Sequence, residues 1–235
     1  MNDVSKPERA TQHRVVQLLC QELGYRNLGD WTERANNAPI EETLLTAFWQ
    51  TKGYTPEQMS RALNTLRSEA ANPTRTLYGN NQAVYSLLRY GVPVKTGAGE
   101  QAETVHLVDW EHSDANDFAV AEEVTLNGGL ERRPDVVLFV NGLPLAVVEL
   151  KNAAAENATV WSALRQLQTY QAELPAFFAP NALLAASDGV EALTNWPGAA
   201  RIDMLHLGGN VLSTAATKAL CACPHLKGLN HLCEA

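Results

Sequence analysis

Asp135, Glu149 and Lys151 flank the two very apolar segments of "RRPDVVLFVNGLPLAVVELKN", residues 132–152. Asp135 stands at the start of the first segment, and Glu149 and Lys151 stand at the end of the second. Segments this apolar are typical of strands that are buried on both faces, where a charge is costly unless something compensates it. The two carboxylates and the amine therefore need either each other or a bound ion.

The strands that must position these residues are joined by Asn141-Gly142, a strong signal for a β-hairpin. With a strict two-residue loop, Asp135 falls opposite Val148 and points to the wrong face of the sheet. A three-residue loop, with Gly142 in the left-handed conformation forming a bulge, sets Asp135 opposite Glu149 instead. We expect the second arrangement, because it brings the acids together.

Glu149 and Lys151 are two residues apart on one strand, so their side chains leave the same face of the sheet. Side chains at directly opposite positions begin about 4.5–5.5 Å apart, where two unscreened carboxylates repel strongly. A divalent cation removes this conflict, and ligation by one or two carboxylates with water is typical of Mg²⁺. The alternative is a buried cluster of Asp, Glu and Lys ion pairs without a metal, which is costly to desolvate.

The rest of the chain predicts helices followed by a sheet. An opening helix over "SKPERATQHRVVQLLCQELG" places Val15, Leu18, Leu19 and Leu23 on one face, a second helix begins at Thr55 with Gln58 at capping-box spacing, and a third ends at Gly91. Alternating and β-rich segments follow, then a helix at about 157–173 and a buried strand, "NALLAAS". We expect a helical part over 1–91, a core with the hairpin over 92–195, and an irregular tail over 196–235.

The composition indicates an ordinary globular protein of 235 residues with a formal net charge of −8. No segment approaches the roughly 18 consecutive apolar residues of a membrane span, and the first ten residues lack the apolar run of a secretory signal. We therefore expect a cytoplasmic protein with no membrane contact and reduced cysteines. Because the charge is acidic, DNA binding is expected to be local or to need help.

The tail contains Cys221, Cys223, Cys233, His225 and His231. Their spacing lacks the paired Cys-x-x-Cys arrangement of common structural zinc sites. We expect a loosely ordered terminus, with a zinc site as the alternative.

The pattern "RPD…ELK" resembles that of the P-D…(D/E)-x-K nuclease superfamily. Its surroundings, with "WSALRQLQTYQAELPAFFAPNALLAASDG" and "ERATQHRVVQLLCQELGY", resemble the N-terminal part of the motor/restriction (R) subunit of type I restriction-modification enzymes over roughly residues 5–195. The resemblance implies an α/β fold, restriction-endonuclease-like, with a central mixed sheet flanked by helices. It also implies cleavage of double-stranded DNA.

Carried onto this sequence, the resemblance implies that Asp135 and Glu149 ligate Mg²⁺, with the Leu150 carbonyl as a further ligand. It implies that Lys151 orients or deprotonates the attacking water, or holds the scissile phosphate. A metal that activates water, with a nearby cation that stabilises the transition state, agrees with these roles.

Further residues have two interpretations each. Gln166 and Tyr170, at i and i+4 on one helix, match a Q-x-x-x-Y motif that supports the site or contacts DNA in the family, or else they are a packing pair. Glu8 is the best match to an additional acid of the site that the resemblance implies. In the other interpretation, its negative charge only complements the helix dipole. Arg132 and Arg133 meet phosphates, or sit exposed at a strand start.

The family's R subunits also carry ATP-driven motor domains, but no G-x-x-x-x-G-K-[ST] phosphate loop occurs in this sequence. The chain is therefore expected to be an excised domain or the product of a truncated reading frame. ATP would serve only the missing motor, and the implied partners are double-stranded DNA and the methylation and specificity subunits. The rival functions are a non-catalytic interaction module and a free-standing repair-type nuclease.

Overall fold

The computed structural model describes residues 5–95, 97, 101–127, 131–151, 160–187, 192–195, 204–206 and 231–233. Its helices are α1 (Ser5–Gln21), α2 (Glu42–Thr51), α3 (Pro56–Ala70), α4 (Leu77–Tyr90), α5 (Val160–Glu173) and α6 (Pro175–Phe178), with one 3-10 turn at Ser113–Ala115. The longer strands are β1 (Arg26–Asp30), β4 (Phe118–Glu122), β7 (Val136–Val140), β8 (Leu143–Leu150), β9 (Leu183–Ser187) and β10 (Ala192–Asn195). Short strands are β2 (Val92–Val94), β3 (Glu103–Val105), β5 (Leu126–Asn127), β6 (Glu131–Arg132), β11 (Met204–His206) and β12 (His231–Cys233).

A six-stranded mixed sheet in the order β1-β4-β7-β8-β9-β10 forms the centre of the fold. β1 is parallel to β4 and β8 is parallel to β9, whereas the other neighbours are antiparallel. The predicted α/β fold with a central mixed sheet is confirmed. The first ninety residues are mainly helical, as expected, but they also supply β1, a strand of this sheet that the sequence analysis missed.

Helix α1 covers one face of the sheet. Its Val16 and Leu19 are buried against Val120, Val136 and Leu150. The predicted apolar face of this helix is partly wrong, because two of its four predicted residues, Leu18 and Leu23, are 56% and 60% exposed. The buried stripe instead begins one turn earlier, at a polar residue, Gln12.

Helices α5 and α6 cover the opposite face of the sheet. Ala163, Leu167 and Phe177 are fully or almost fully buried there against strand residues such as Val137 and Val147. Because successive strand residues face opposite sides, β7 and β8 contribute to both apolar layers. The strands are therefore buried on both faces, as their composition predicts.

Helices α2 to α4 pack around the turn between β7 and β8. The capping box predicted for the second helix is confirmed, since Thr55 and Gln58 exchange side-chain to backbone hydrogen bonds at the start of α3. Gly91 ends α4 with a positive φ of 80°. These helices hold the turn end of the hairpin, and Asp135 and Lys151 at its opposite end line a cleft.

In the described part of the chain, no helix has the length and apolar character needed to cross a membrane. The described residues of the tail, 204–206 and 231–233, form the short parallel pair of β11 and β12. The side chains of its cysteines and histidines lie outside the described residues.

Candidate functional site

The β7–β8 hairpin brings the two predicted acids together. Val136 pairs with Val148, and continuing this register by one residue places Asp135 opposite Glu149. The predicted three-residue loop is wrong, however, because Val140 pairs with Leu143 across a two-residue turn.

The irregularity that restores the register lies inside β8 instead. Leu138 pairs with Ala146 and Phe139 pairs with Pro144, so Leu145 is an extra residue on β8. Such a bulge reverses the alternation of the strand beyond it. The sequence argument that one irregularity is needed therefore holds, although its position was wrong.

Asp135 is held by hydrogen bonds at both its carboxylate and its backbone. The amide N–H of Leu150 donates to its Oδ2 at 2.6 Å. Its backbone carbonyl accepts from the amide of Glu123 at 2.9 Å and from Nε2 of Gln12 at 3.1 Å. Three elements thus hold this residue: β8 contacts its side chain, and the segment after β4 and α1 contact its backbone.

Glu149 and Lys151 point to the same face and contact each other. The Lys151 Nζ lies 3.0 Å from Glu149 Oε1. The Glu149 side chain has no exposed surface, and that of Lys151 is 18% exposed. A carboxylate buried this deeply needs positive charge close to it, and the ammonium group provides some of that charge.

The donor atoms at this site suit a hard divalent cation. The carboxylates of Asp135 and Glu149 supply oxygen, and the Leu150 carbonyl lies on the same side of β8 as its amide, which faces Asp135. Among the described residues, no group of three or more His, Cys, Asp or Glu side chains is arranged to hold a metal. With two carboxylates and one carbonyl as donors, the set fits an ion that keeps several water ligands, as Mg²⁺ does.

Gln166 and Tyr170 of α5 border the same site. The Gln166 Nε2 donates to the Tyr170 hydroxyl at 2.6 Å, and that hydroxyl contacts the Arg133 carbonyl at 3.5 Å. Burial raises the pKa of Tyr170, and the negative charge of Glu149 raises it further. The phenol therefore stays protonated near neutral pH and remains a hydrogen-bond donor beside the carboxylates.

Arg132 and Arg133 each pair with a glutamate. The Nε and Nη2 atoms of Arg132 donate to the two carboxylate oxygens of Glu173 on α5, and this contact lowers the pKa of Glu173. The Arg133 Nε lies 2.7 Å from Glu123 Oε2, and the Arg133 side chain is 49% exposed. Arg132 therefore joins β6 to α5, whereas about half of the Arg133 side chain still faces solvent.

A cleft of about 640 Å³ opens over this site. Four basic side chains and three acidic ones line it with a few uncharged polar groups, namely Arg9, Gln12, Thr32, Glu123, Glu131, Arg132, Arg133, Asp135, Lys151, Gln166 and Tyr170. The lining is mainly polar, which suits a charged substrate better than an apolar one. The lining thus has one more basic than acidic side chain, whereas the whole chain has a net charge of −8.

The sequence analysis missed five residues of this cleft, namely Arg9, Gln12, Thr32, Glu123 and Glu131. Gln12 had a usable signal, because a polar residue at the first position of a buried helical stripe indicates a specific partner. Glu123 follows a strand and has no comparable signal in the sequence. Glu8 lies in α1, one turn before Gln12, but its side chain falls outside the described residues.

Comparisons with known proteins agree with the resemblance seen in the sequence. Residues 5–195 match the family described as "Type I restriction enzyme R protein N terminus". The "Type I restriction enzyme HindI endonuclease subunit" of Haemophilus influenzae is 41% identical over 131 residues, which are 54% of this chain and 12% of that relative.

Two relatives from Methanocaldococcus jannaschii match longer segments of the chain. The "Putative type I restriction enzyme MjaIXP endonuclease subunit" is 26% identical over 165 residues, 68% of this chain and 16% of the relative. The "Putative type I restriction enzyme MjaVIIIP endonuclease subunit" is 27% identical over 183 residues, 76% of this chain and 17% of the relative. The chain thus spans less than a fifth of the length of these curated relatives.

Proposed function

Because this chain belongs to the family of type I restriction enzyme R protein N-terminal regions, we propose that its cleft cuts double-stranded DNA in a Mg²⁺-dependent reaction. The observation that carries the proposal is the convergence of Asp135, Glu149 and Lys151 at the charged end of one hairpin. The names of the relatives, which are endonuclease subunits, agree with a nuclease role.

Asp135, Glu149 and the Leu150 carbonyl would hold the cation. When bound there, Mg²⁺ would lower the pKa of water and neutralise charge on the phosphate. Asp135 is prepared for this role because its other carboxylate oxygen is fixed by the Leu150 amide. A ligand that is already oriented loses less conformational freedom when the ion binds.

Lys151 would act on the substrate. Its ammonium group, held at 3.0 Å from Glu149, would orient the attacking water or hold a phosphate oxygen as negative charge develops. The Tyr170 hydroxyl and Gln166 would support the site from α5, and the half-exposed Arg133 would contact the DNA backbone. The additional acid expected at Glu8 would enter from α1.

The wider assembly belongs to the same proposal. The chain would act in the cytoplasm together with motor, methylation and specificity components, and ATP would be used by the motor rather than here. The lack of a phosphate-loop sequence in this chain supports this division.

Metal titration tests the proposal most directly. Calorimetry with Mn²⁺ or Mg²⁺ should give binding for the wild-type chain and loss of that binding for Asp135→Ala. The matched control is Asp114→Ala, which removes the same charge from an exposed residue of the 3-10 turn. A wild-type chain that binds neither ion, or an Asp135→Ala chain that binds as well as wild type, would favour the interaction module.

A further inference from the structure

Glu123 has a backbone conformation that its residue type rarely adopts. Its φ is +51°, and the other two non-glycine residues with positive φ in the described part of the chain are both asparagines. Asparagine tolerates this region because its short side chain bonds locally, whereas glutamate has no such advantage. Strained conformations of this kind persist where the surroundings impose them, and they concentrate at functional sites.

The strained residue makes a bulge at the end of β4. Glu122 pairs regularly with Val136, but beyond it the amides of both Glu123 and Val124 donate toward the same neighbouring segment, to the carbonyls of Asp135 and Pro134. Consecutive amides of a regular strand point to opposite sides, so this pattern needs an irregular residue, and the left-handed Glu123 is that residue here. Glycine is the usual residue at the left-handed position of a bulge.

The bulge acts on the residue that carries the proposed metal ligand. The Glu123 amide lies 2.9 Å from the Asp135 carbonyl oxygen, and the Glu123 carboxylate lies 2.7 Å from Nε of Arg133, two residues before Asp135. The Asp135 carboxylate in turn accepts the Leu150 amide. Glu123 thus contacts the segment before β7 through both its backbone amide and its carboxylate.

We propose that Glu123 is a positioning residue, whose left-handed backbone aims the Asp135 carboxylate at the Leu150 amide and at the cation. The consequence for metal binding and cleavage rests on the proposed function, but the effect on the Asp135–Leu150 hydrogen bond does not.

Amide hydrogen exchange of Leu150 tests the positioning without metal or DNA. In Glu123→Val the β-branched side chain excludes the left-handed conformation, so Leu150 exchange should be at least tenfold faster than in wild type. Glu123→Asn and Glu123→Gly lose the same carboxylate but accept the conformation, and their Leu150 exchange should stay near the wild-type rate. The neighbouring Lys151 amide, which donates to Ser187 on the other side of β8, is the internal control for unfolding.

Several results would overturn the proposal. Protected Leu150 in Glu123→Val would show that the bulge does not position Asp135. If Glu123→Asn or Arg133→Ala accelerated Leu150 exchange as much as Glu123→Val does, the effect would belong to the ion pair between Glu123 and Arg133 instead. If the Lys151 amide also exchanges faster in Glu123→Val, Glu123→Thr replaces it, because its β-branched side chain also disfavours the left-handed conformation, and faster exchange confined to Leu150 is again the expected result.

The same variants separate this inference from the proposed function. Glu123→Val should bind Mn²⁺ at least tenfold more weakly than Glu123→Asn. If the wild-type chain binds no divalent metal, the proposed function fails, while the Leu150 exchange rates still decide the positioning role. If wild type binds metal and all Glu123 variants bind it equally, only the positioning role fails.

Discussion

At the scale of single residues, the site separates groups suited to bind a cation from one suited to act on the substrate. Asp135 has a carboxylate that is fixed by the Leu150 amide. Lys151 is the residue directly after β8, and it places its own ammonium group beside Glu149. A lysine is not a ligand for Mg²⁺, which prefers oxygen donors. The two residues should therefore fail in different ways when they are replaced.

Lys151→Met keeps the aliphatic stem but removes the ammonium group. In an R subunit rebuilt with its partner subunits and supplied with ATP, this change should reduce DNA cleavage by about 100-fold or more, because stabilisation of developing charge is lost. Divalent-metal affinity of the same variant should stay within about threefold of wild type, since the oxygen ligands remain.

Asp135→Ala should abolish both cleavage and metal binding, and Asp114→Ala should change neither. Melting temperatures of all the variants check that they are folded. Wild-type cleavage by the Lys151→Met enzyme at matched Mg²⁺ would contradict the catalytic role of the lysine and leave it a structural counter-ion.

Asp109 gives a separate prediction about pH. Its hydrogen bond with Lys52, together with backbone amides that include that of His112, lowers the pKa of Asp109 to about 2. A carboxyl whose pKa is lower in the folded state stabilises the fold above its unfolded pKa, near 3.8, and loses this effect as pH falls toward 2.

Asp109→Asn should therefore lower the melting temperature at pH 7 and flatten its fall between pH 4 and pH 2. Thermal melts from pH 7 to pH 2 measure this. Melting curves with the same acid dependence in both proteins would show that Asp109 is not a source of the pH effect.

At the scale of the elements, the hairpin turn is fixed from outside by α2. Gly142 has a φ of +81°, and a Cβ added to it would lie 2.3 Å from the Glu41 carbonyl oxygen. The Glu41 amide also donates to the Gly142 carbonyl at 2.8 Å. The turn therefore needs glycine both for its conformation and for its close contact.

Gly142→Ala should destabilise the protein by roughly 2–4 kcal/mol, because strain and a backbone clash add. Denaturant unfolding measures the change. Gly53→Ala is the control, since Gly53 also has a positive φ but nothing within 4 Å of its added Cβ, and it should cost only about 1 kcal/mol. Equal losses would show that the contact with α2 contributes nothing.

The pairing register of the hairpin, which decides the sheet face each side chain points to, shows what the sequence can and cannot predict at this scale. Alternation of side chains requires one irregularity if Asp135 and Glu149 are to share a face, and this was deduced correctly. Its location was missed because Asn-Gly is compatible with both loop lengths. Pro144 was the overlooked signal, since proline lacks an amide and within sheets is confined largely to edges and bulges, and it adjoins the extra residue, Leu145.

At the scale of the whole molecule, the parts of the site that the sequence missed come from long-range pairings. Gln12 reaches Asp135 from α1, 123 residues away in the sequence, and Glu123 reaches it through the pairing of β4 with β7. Local patterns identify a helix or a strand, but they do not determine which strands become neighbours or which residue ends a bulge. The three hairpin residues were predictable because they lie within one local unit.

The distribution of charge sets a limit on DNA binding by the isolated chain. Its net charge is −8, and of the cleft's basic residues Arg132 and Arg133 are already paired with glutamates. Non-specific affinity depends on the number of phosphates that free cations neutralise. The chain should therefore bind duplex DNA with a dissociation constant above roughly 10⁻⁶ M at physiological salt. Under the proposed function, its partners would supply the remaining affinity.

Gel-shift titrations of the isolated chain across a salt series test this limit. Arg9 lines the cleft and has no ion pair among those described, so Arg9→Ala should weaken binding and reduce the slope of log affinity against log salt by about one. Arg61→Ala is the matched control, because Arg61 is an exposed residue of α3 paired with Glu57, and it should leave the slope unchanged. Nanomolar binding by the chain alone would contradict the need for partners and favour a free-standing nuclease.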